Sequence, residues 1–362
     1  MLFPMRAGLA QCQLFVGLNS LLLEVLRSAA TSTRIDETVL PEGLLAAVRR
    51  NSPTNRLLGQ VNSAAATLSQ AERDQLLVAV QAARTVRPLF SDCAISTPGV
   101  PDSLSAPLKE FATHLFSQTA KLVNVVAACG ESVMDHYSRY AAHEPPGNGN
   151  VCGMCGTEYL AQFRANVEAS EQWRAPYDHL LAKDTYPILA VHPENLIPVC
   201  VTCNSKAKLR KDLLHDGRGL RRRCFDPWGE CAHDRVDLAP DFGNVSPTVS
   251  LTMTGLTASE QDKLNTWDDV YRIKERVEGE FLSIREKLAE DLDLSNLTAF
   301  RASLTQMSER KMRYVRLTPY SFWRGKLFRS MATLPDQLLE QLRELCVAGL
   351  DPDGDRADIF GI

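Results

Sequence analysis

Several things are scarce in this chain of 362 residues, and each scarcity removes a class of protein. No stretch near the start is apolar without interruption: Gly8 to Leu26 is broken by Gln11, Gln13, Asn19 and Glu24, which argues against a membrane-spanning helix. The first thirty residues lack a clean small-residue cleavage site and carry Arg6, Glu24 and Arg27, so they read as an amphipathic helix and not as an export signal. A cytoplasmic protein without membrane attachment is the expectation. A chain-wide basic excess is also missing, because 40 Lys and Arg face 44 Asp and Glu for a net charge of −4. Any nucleic-acid surface must then be local. No internal repeat suggests a solenoid. Hydrophobic residues at 44% and charged residues at 23% exclude collagenous and globally disordered classes. Ten cysteines are too dilute for a disulfide scaffold of this length.

A chain this long is expected to divide into two or three units. Residues 1–92 are rich in Ala and Leu with helical periodicity, and Ser69-Gln70-Ala71-Glu72 is a capping box before Leu76, Leu77 and Val80. Residues 93–107 hold Pro98, Gly99, Pro101 and Pro107, which predicts a linker. Residues 108–150 predict further helix, ended by Glu144-Pro145-Pro146-Gly147-Asn148-Gly149-Asn150. Residues 151–228 alone look mixed, with short runs such as Ile188 to Val191 and Leu196 to Val201. Residues 229–362 are expected to be mostly helical. There Thr257-Ala258-Ser259-Glu260 opens a run through Leu264, Trp267, Val270, Ile273, Val277, Phe281, Ile284 and Leu288, whose steps of three and four predict one long amphipathic helix. The fold class is therefore mainly α, with a small central mixed module between helical flanks.

That module carries the chemistry. Cys152-x2-Cys155 and Cys200-x2-Cys203 are two knuckles 44 residues apart, a spacing that lets two turns converge on one tetrahedral thiolate site for Zn²⁺. A redox pair explains one such motif but not two. Around the knuckles lie Asp178-His179, Lys183-x2-Tyr186-Pro187, Asn195-Leu196-Ile197-Pro198 and Cys203-Asn204. The order of these elements, over about 151–211, resembles the HNH endonuclease family in its zinc-stapled form with Asn as third signature residue.

The resemblance implies a ββα-metal fold hydrolysing phosphodiester bonds of DNA, leaving 5′-phosphate and 3′-hydroxyl ends. By that likeness Asp178 and Asn204 hold a catalytic Mg²⁺ or Mn²⁺, His179 is the general base, and Asn195 ties down the loop bearing the base. An imidazole suits the base because it titrates near neutrality. Taken singly, each of these residues also has an ordinary structural use, as turn former, packed ring, strand cap or helix cap. Ala182 stands where relatives often have Pro, and Lys206 and Lys208 flank Ala207, which leaves the register of the presumed helix open.

Residues 204–223 hold eight Lys and Arg against Asp212 and Asp216; Lys206, Lys208, Arg210 and Lys211 are the expected DNA contacts. A second basic stretch, 301–329, is interleaved with Tyr314, Tyr320, Phe322, Trp323 and Phe328, whose expected role is mainly core. His192 is a weaker candidate for ligand or base. Cys224 and Cys231, with His215 and His233 nearby, do not have knuckle spacing. The alternative to an enzyme is a non-catalytic zinc module that binds nucleic acid or a partner protein. HNH proteins with helical extensions also resemble effectors of anti-phage defence systems, which implies an ATPase or sensor subunit as partner and leaves homo-oligomers open.

Overall fold

The apolar face of the first long helix, α1 (Gln13–Thr31), supplies Leu14, Phe15, Leu18, Leu21, Leu22, Val25 and Leu26 to the core. The computed structural model describes residues 1–6, 11–144, 147–168, 171–242, 248–281 and 292–348; Gly8, Pro145, Pro146, Ile284 and Leu288 lie outside them. Among the described residues α1 is long and apolar enough to cross a membrane, but 67% of that window is buried inside the protein. Its one buried acid, Glu24, is held by Arg27 at 2.6 Å and by the Asp36 amide at 2.7 Å, and the Arg27 hydrogen bond keeps its carboxyl below the usual range.

α3 (Ser52–Ala66) and α4 (Gln70–Ala82) pack on α1, α2 (Leu44–Arg50) packs on α3, and the short α5 (Arg87–Ser91) follows α4. The capping box is present at α4: the Ser69 hydroxyl accepts from the Glu72 amide, and Glu72 accepts from the Ser69 amide. The linker expected over 93–107 is partly helix, since α6 (Asp102–Ser117) begins inside it and contains Pro107. Pro107 removes a single bond in the second turn, and burial of Leu104, Leu108, Phe111, Ala112 and Leu115 outweighs that loss. α7 (Val123–Cys129) and α8 (Val133–Tyr140) follow, the latter opened by a Ser132/Asp135 capping box.

Two strands then cross the central module. β1 (Tyr177–His179) pairs antiparallel with β2 (Leu196–Pro198), placing Asp178 opposite Ile197 and His179 opposite Leu196. A helical turn follows directly at Cys203–Lys208, wound with the wide π spacing. α6 packs on Pro187–Leu189, and α1 on that turn and on Pro193–Asn195, so the N-terminal helices clamp the long β1–β2 connection.

The 229–362 region holds a hairpin that its helical expectation omits, β3 (Val236–Asp241) paired with β4 (Thr248–Met253). Val236, Leu238, Val249 and Leu251 alternate inward, a period-two pattern that Pro240 disguises. The long helix expected from Thr257 is two helices, α9 (Ala258–Tyr271) and α10 (Ile273–Glu280). Arg272 breaks it in the left-handed conformation, φ 53° and ψ 47°, while Val270, Ile273 and Val277 stay buried on both sides of the bend. α11 (Leu297–Arg313), α12 (Ser321–Ala332) and α13 (Asp336–Ala348) complete the described chain. Phe322, Trp323 and Phe328 are core, as expected; Tyr314 is exposed.

Candidate functional site

Four sulfurs define the first part of the site. Cys152, Cys155, Cys200 and Cys203 are all buried, with ligand atoms within 4.8 Å of one another. Cys152 Sγ lies 3.9 Å from Cys203 Sγ, and Cys155 Sγ 3.9 Å from Cys200 Sγ. Sulfurs about 2.3 Å from a tetrahedral Zn²⁺ are about 3.8 Å apart, so the quartet can hold zinc, whereas a disulfide needs about 2.05 Å. The amides of Cys200, Thr157 and Cys203 donate to Cys152, Cys155 and Cys200, each at 3.4 Å, and Arg276 of α10 donates to Cys203 Sγ at 3.4 Å. Such donors stabilise thiolate charge. Hydrogen bonds with Cys152 push the Cys200 and Cys203 thiols up.

The knuckle turn is local and tight. Gly156 has φ +67°, and a Cβ there would lie 2.5 Å from Leu2, so this turn requires glycine. Its carbonyls are claimed from far along the chain: Gly153 O by the Leu2 and Phe3 amides, Met154 O by Trp267, Cys155 O by Trp323 and Gly156 O by the Tyr320 amide.

Beside the quartet is a cleft of about 660 Å³ into which Asp178, His179 and Asn204 all open. Strand alternation suggests that Asp178 and His179 diverge, yet both line this one cavity. Its walls add Arg174, Lys183 and Arg210, and α6 contributes Lys109 and Phe116. Lys109 pairs with Asp184 at 3.1 Å. The Phe116 ring meets the His179 ring edge-on at 4.4 Å between centroids.

His179 Nε2 lies 2.8 Å from the carbonyl of Ala190. A carbonyl only accepts, so Nε2 carries the proton and Nδ1 is the basic atom of the ring. Burial, with smaller contributions from Lys183 and Lys208, lowers its pKa to about 3 and keeps the ring neutral. Asn195 is fully buried and spans the β1–β2 connection: Oδ1 accepts from the Leu181 amide at 2.7 Å, and Nδ2 donates to Leu181 O and Leu189 O, both at 3.0 Å. His192 points elsewhere, its Nδ1 accepting from the Glu194 amide at 3.2 Å.

Two of the four expected DNA contacts face inward or are already engaged. Lys208 is 3% exposed and donates to Asp178 Oδ1 at 2.7 Å, so it is no surface phosphate contact; its alkyl chain is buried and its charge neutralised. Lys211 pairs with Asp269. Lys206 and Arg210 are exposed, and only Arg210 of these two lines the cleft. Arg222 and Arg223 pair with Asp269 and Asp262, and Arg221 caps the carbonyls of Leu89 and Leu214. Much of the basic excess over 204–223 thus holds the fold together.

The donors for a second, catalytic cation do not fit one as they stand. Asp178 Oδ1 is taken by Lys208, and Oδ2 accepts from the Tyr271 hydroxyl at 3.4 Å. Burial pushes the Asp178 carboxyl up, against the pull of Lys208. Among the described residues the cysteine quartet is the cluster of His, Cys, Asp and Glu with metal-binding geometry; Cys231 contacts His233 at 2.9 Å without gathering further ligands.

Sequence reading missed Phe116, Lys109, Arg174 and Tyr271. Lys183 was visible within the motif. Phe116 sits 63 residues from His179 and Tyr271 93 residues from Asp178, and each comes to its partner only through packing. No family model, curated protein or solved structure matches the chain.

Proposed function

We propose that the chain is an HNH-type endonuclease that hydrolyses phosphodiester bonds of DNA. The observation that carries this reading is the meeting of Asp178, His179 and Asn204 in one basic-walled cleft beside the thiolate quartet. His179 acts as general base: Nδ1 takes the proton of the attacking water while Ala190 and Phe116 hold the ring. Arg174, Lys183 and Arg210 offer charge to the phosphate, fixing its position without reading bases. Asn195 keeps the loop and the base in register. The helical flanks are structural walls of this site through Phe116, Lys109 and Tyr271, and they offer surfaces for partners of a defence complex.

Supercoiled plasmid incubated with the purified protein and Mg²⁺ or Mn²⁺ tests the reading. Wild type nicks or linearises it, and His179→Ala falls by about two to four orders of magnitude at unchanged zinc content. Equal cleavage by the variant removes His179 from the mechanism. The closure of Asp178 by Lys208 favours a second reading, a zinc module that binds nucleic acid without turnover. Retention of DNA with no cleavage at any divalent-ion concentration supports that reading.

A further inference from the structure

Phe163 and Trp173, 78% and 56% exposed, are the most exposed of the Phe, Tyr and Trp side chains among the described residues. Both line one groove of about 490 Å³, together with Met134 and Tyr137 of α8 and with Val167. Apolar side chains gathered in one exposed groove mark a binding surface, whereas the same residues scattered singly do not. The loop that carries them is already pinned. Gln172 Oε1 accepts from the Arg164 amide at 3.0 Å, Gln172 Nε2 donates to Arg164 O at 2.7 Å and to Val167 O at 3.0 Å, and Asn150 Nδ2 donates to Ala161 O at 2.8 Å. The Arg164 guanidinium lies over the Trp173 ring, 4.7 Å from its centroid, and steadies it.

The residue after Trp173 is Arg174, which lines the basic-walled cleft of His179. An apolar groove and a basic cleft therefore meet across one peptide bond, a Cα step of about 3.8 Å. A nucleotide has the matching two parts, a flat uncharged base joined to a charged phosphate. Glu168 and Glu171, exposed on the same loop, repel phosphate from the groove and leave it to the base. In a duplex each base is covered by its neighbours, so only an unpaired base can offer its face to an indole. We propose that Trp173 and Phe163 form a stacking platform for an unpaired base, and that the substrate is DNA with unpaired nucleotides beside the phosphate at Arg174. Such DNA is a single strand or its junction with duplex. The proposal deepens the nucleic-acid reading of the cleft and rests on it; stacking itself needs neither a divalent ion nor a rearrangement of the pinned loop.

Fluorescence anisotropy of a labelled oligonucleotide, single-stranded or annealed to its complement, tests this on the full-length, zinc-loaded protein without added divalent ion. Charge alone favours the duplex, whose phosphates are denser, so a preference for the single strand reports stacking. Wild type is expected to bind the single strand about tenfold more tightly than the duplex. Trp173→Ala is expected to remove that preference, Phe163→Ala to reduce it, and Trp173→Phe, which keeps a ring, to retain most of it. Arg174→Ala is expected to weaken both forms alike and to flatten the salt dependence. A preference that survives Trp173→Ala overturns the platform. So does a wild type that prefers duplex or binds both forms equally, which leaves the groove to a protein partner; plasmid nicking lost in His179→Ala then keeps the nuclease reading standing. Trp173-dependent preference without any cleavage keeps the platform and removes the nuclease reading. If neither form of DNA binds, both fall. Zinc content and thermal melting report folding, and if Trp173→Ala misfolds, Phe163→Ala decides: an undiminished preference overturns the proposal.

Discussion

His192 is buried with its Nδ1 accepting from the Glu194 amide, and burial lowers its pKa to about 4 from an ordinary 6.5. Between those values the unfolded ring binds a proton that the folded ring refuses. Stability is therefore complete above about pH 6.5 and declines as the pH falls towards 4. Acidifying from pH 6.5 to 5 should cost about 2 kcal/mol through this residue alone. Urea unfolding at pH 7 and pH 5 measures the loss, and His192→Asn, which keeps an acceptor for Glu194, should remove this residue's share of it, leaving the share of His179, whose pKa burial lowers to about 3. A variant with the wild-type pH slope would show that the proton goes elsewhere. The same scale explains which single residues were legible. Asn195 was assigned a tethering job, and its three hydrogen bonds to Leu181 and Leu189 are of that kind. Lys208 was not legible, because its one-residue displacement past Ala207 says nothing of whether the side chain turns outward or towards Asp178.

At the level of elements, apolar periodicity located helices well and their ends poorly. The run from Leu264 to Phe281 keeps its spacing across Arg272, yet the helix bends there because both halves bury their apolar faces against different neighbours. Arg272 tolerates the left-handed conformation at a cost that glycine would not incur. Its ion pair with Glu275 is exposed and contributes little. Arg272→Gly should therefore stabilise the protein by about 1 kcal/mol in chemical denaturation; destabilisation would mean that the bend is held by the arginine side chain. In α6 the opposite lesson holds, since local chemistry at Pro107 predicted a break that five buried apolar residues override. The β3–β4 hairpin was readable from Val236, Leu238, Val249 and Leu251, but Pro240 pairs with Val249 one residue from the connecting loop, in a two-stranded ladder where a missing amide is tolerated.

Across the whole molecule the knuckle Cys152–Gly156 acts as a hub. Its carbonyls receive hydrogen bonds from residues 2 and 3, from Trp267 on α9, from Tyr320 and from Trp323 on α12. Zinc affinity is thereby coupled to the docking of both ends of the chain on the central module. Elemental analysis should find one zinc per chain. Cys152→Ser, or treatment with a strong chelator, should lower the melting temperature by many degrees and expose Trp267 and Trp323 to quenchers together. Loss of zinc with both tryptophans still shielded would show that the hub holds without the ion.

Short-range patterns settle what depends on neighbours in sequence. The four thiols in two tight pairs, the capping box at Ser69 and the predominance of helix follow from residue type and spacing, because turns, caps and amphipathic faces are set within a few residues; the strand carrying Asp178 and His179 is implied by the family resemblance alone. Tertiary structure alone decided the surroundings of those groups. Phe116 beside His179, Tyr271 and Lys208 on Asp178, and Arg276 on the sulfurs come from distant segments or from the direction of a buried side chain. Burial then sets their charge and reach, since the cost of leaving water depends on the packed whole.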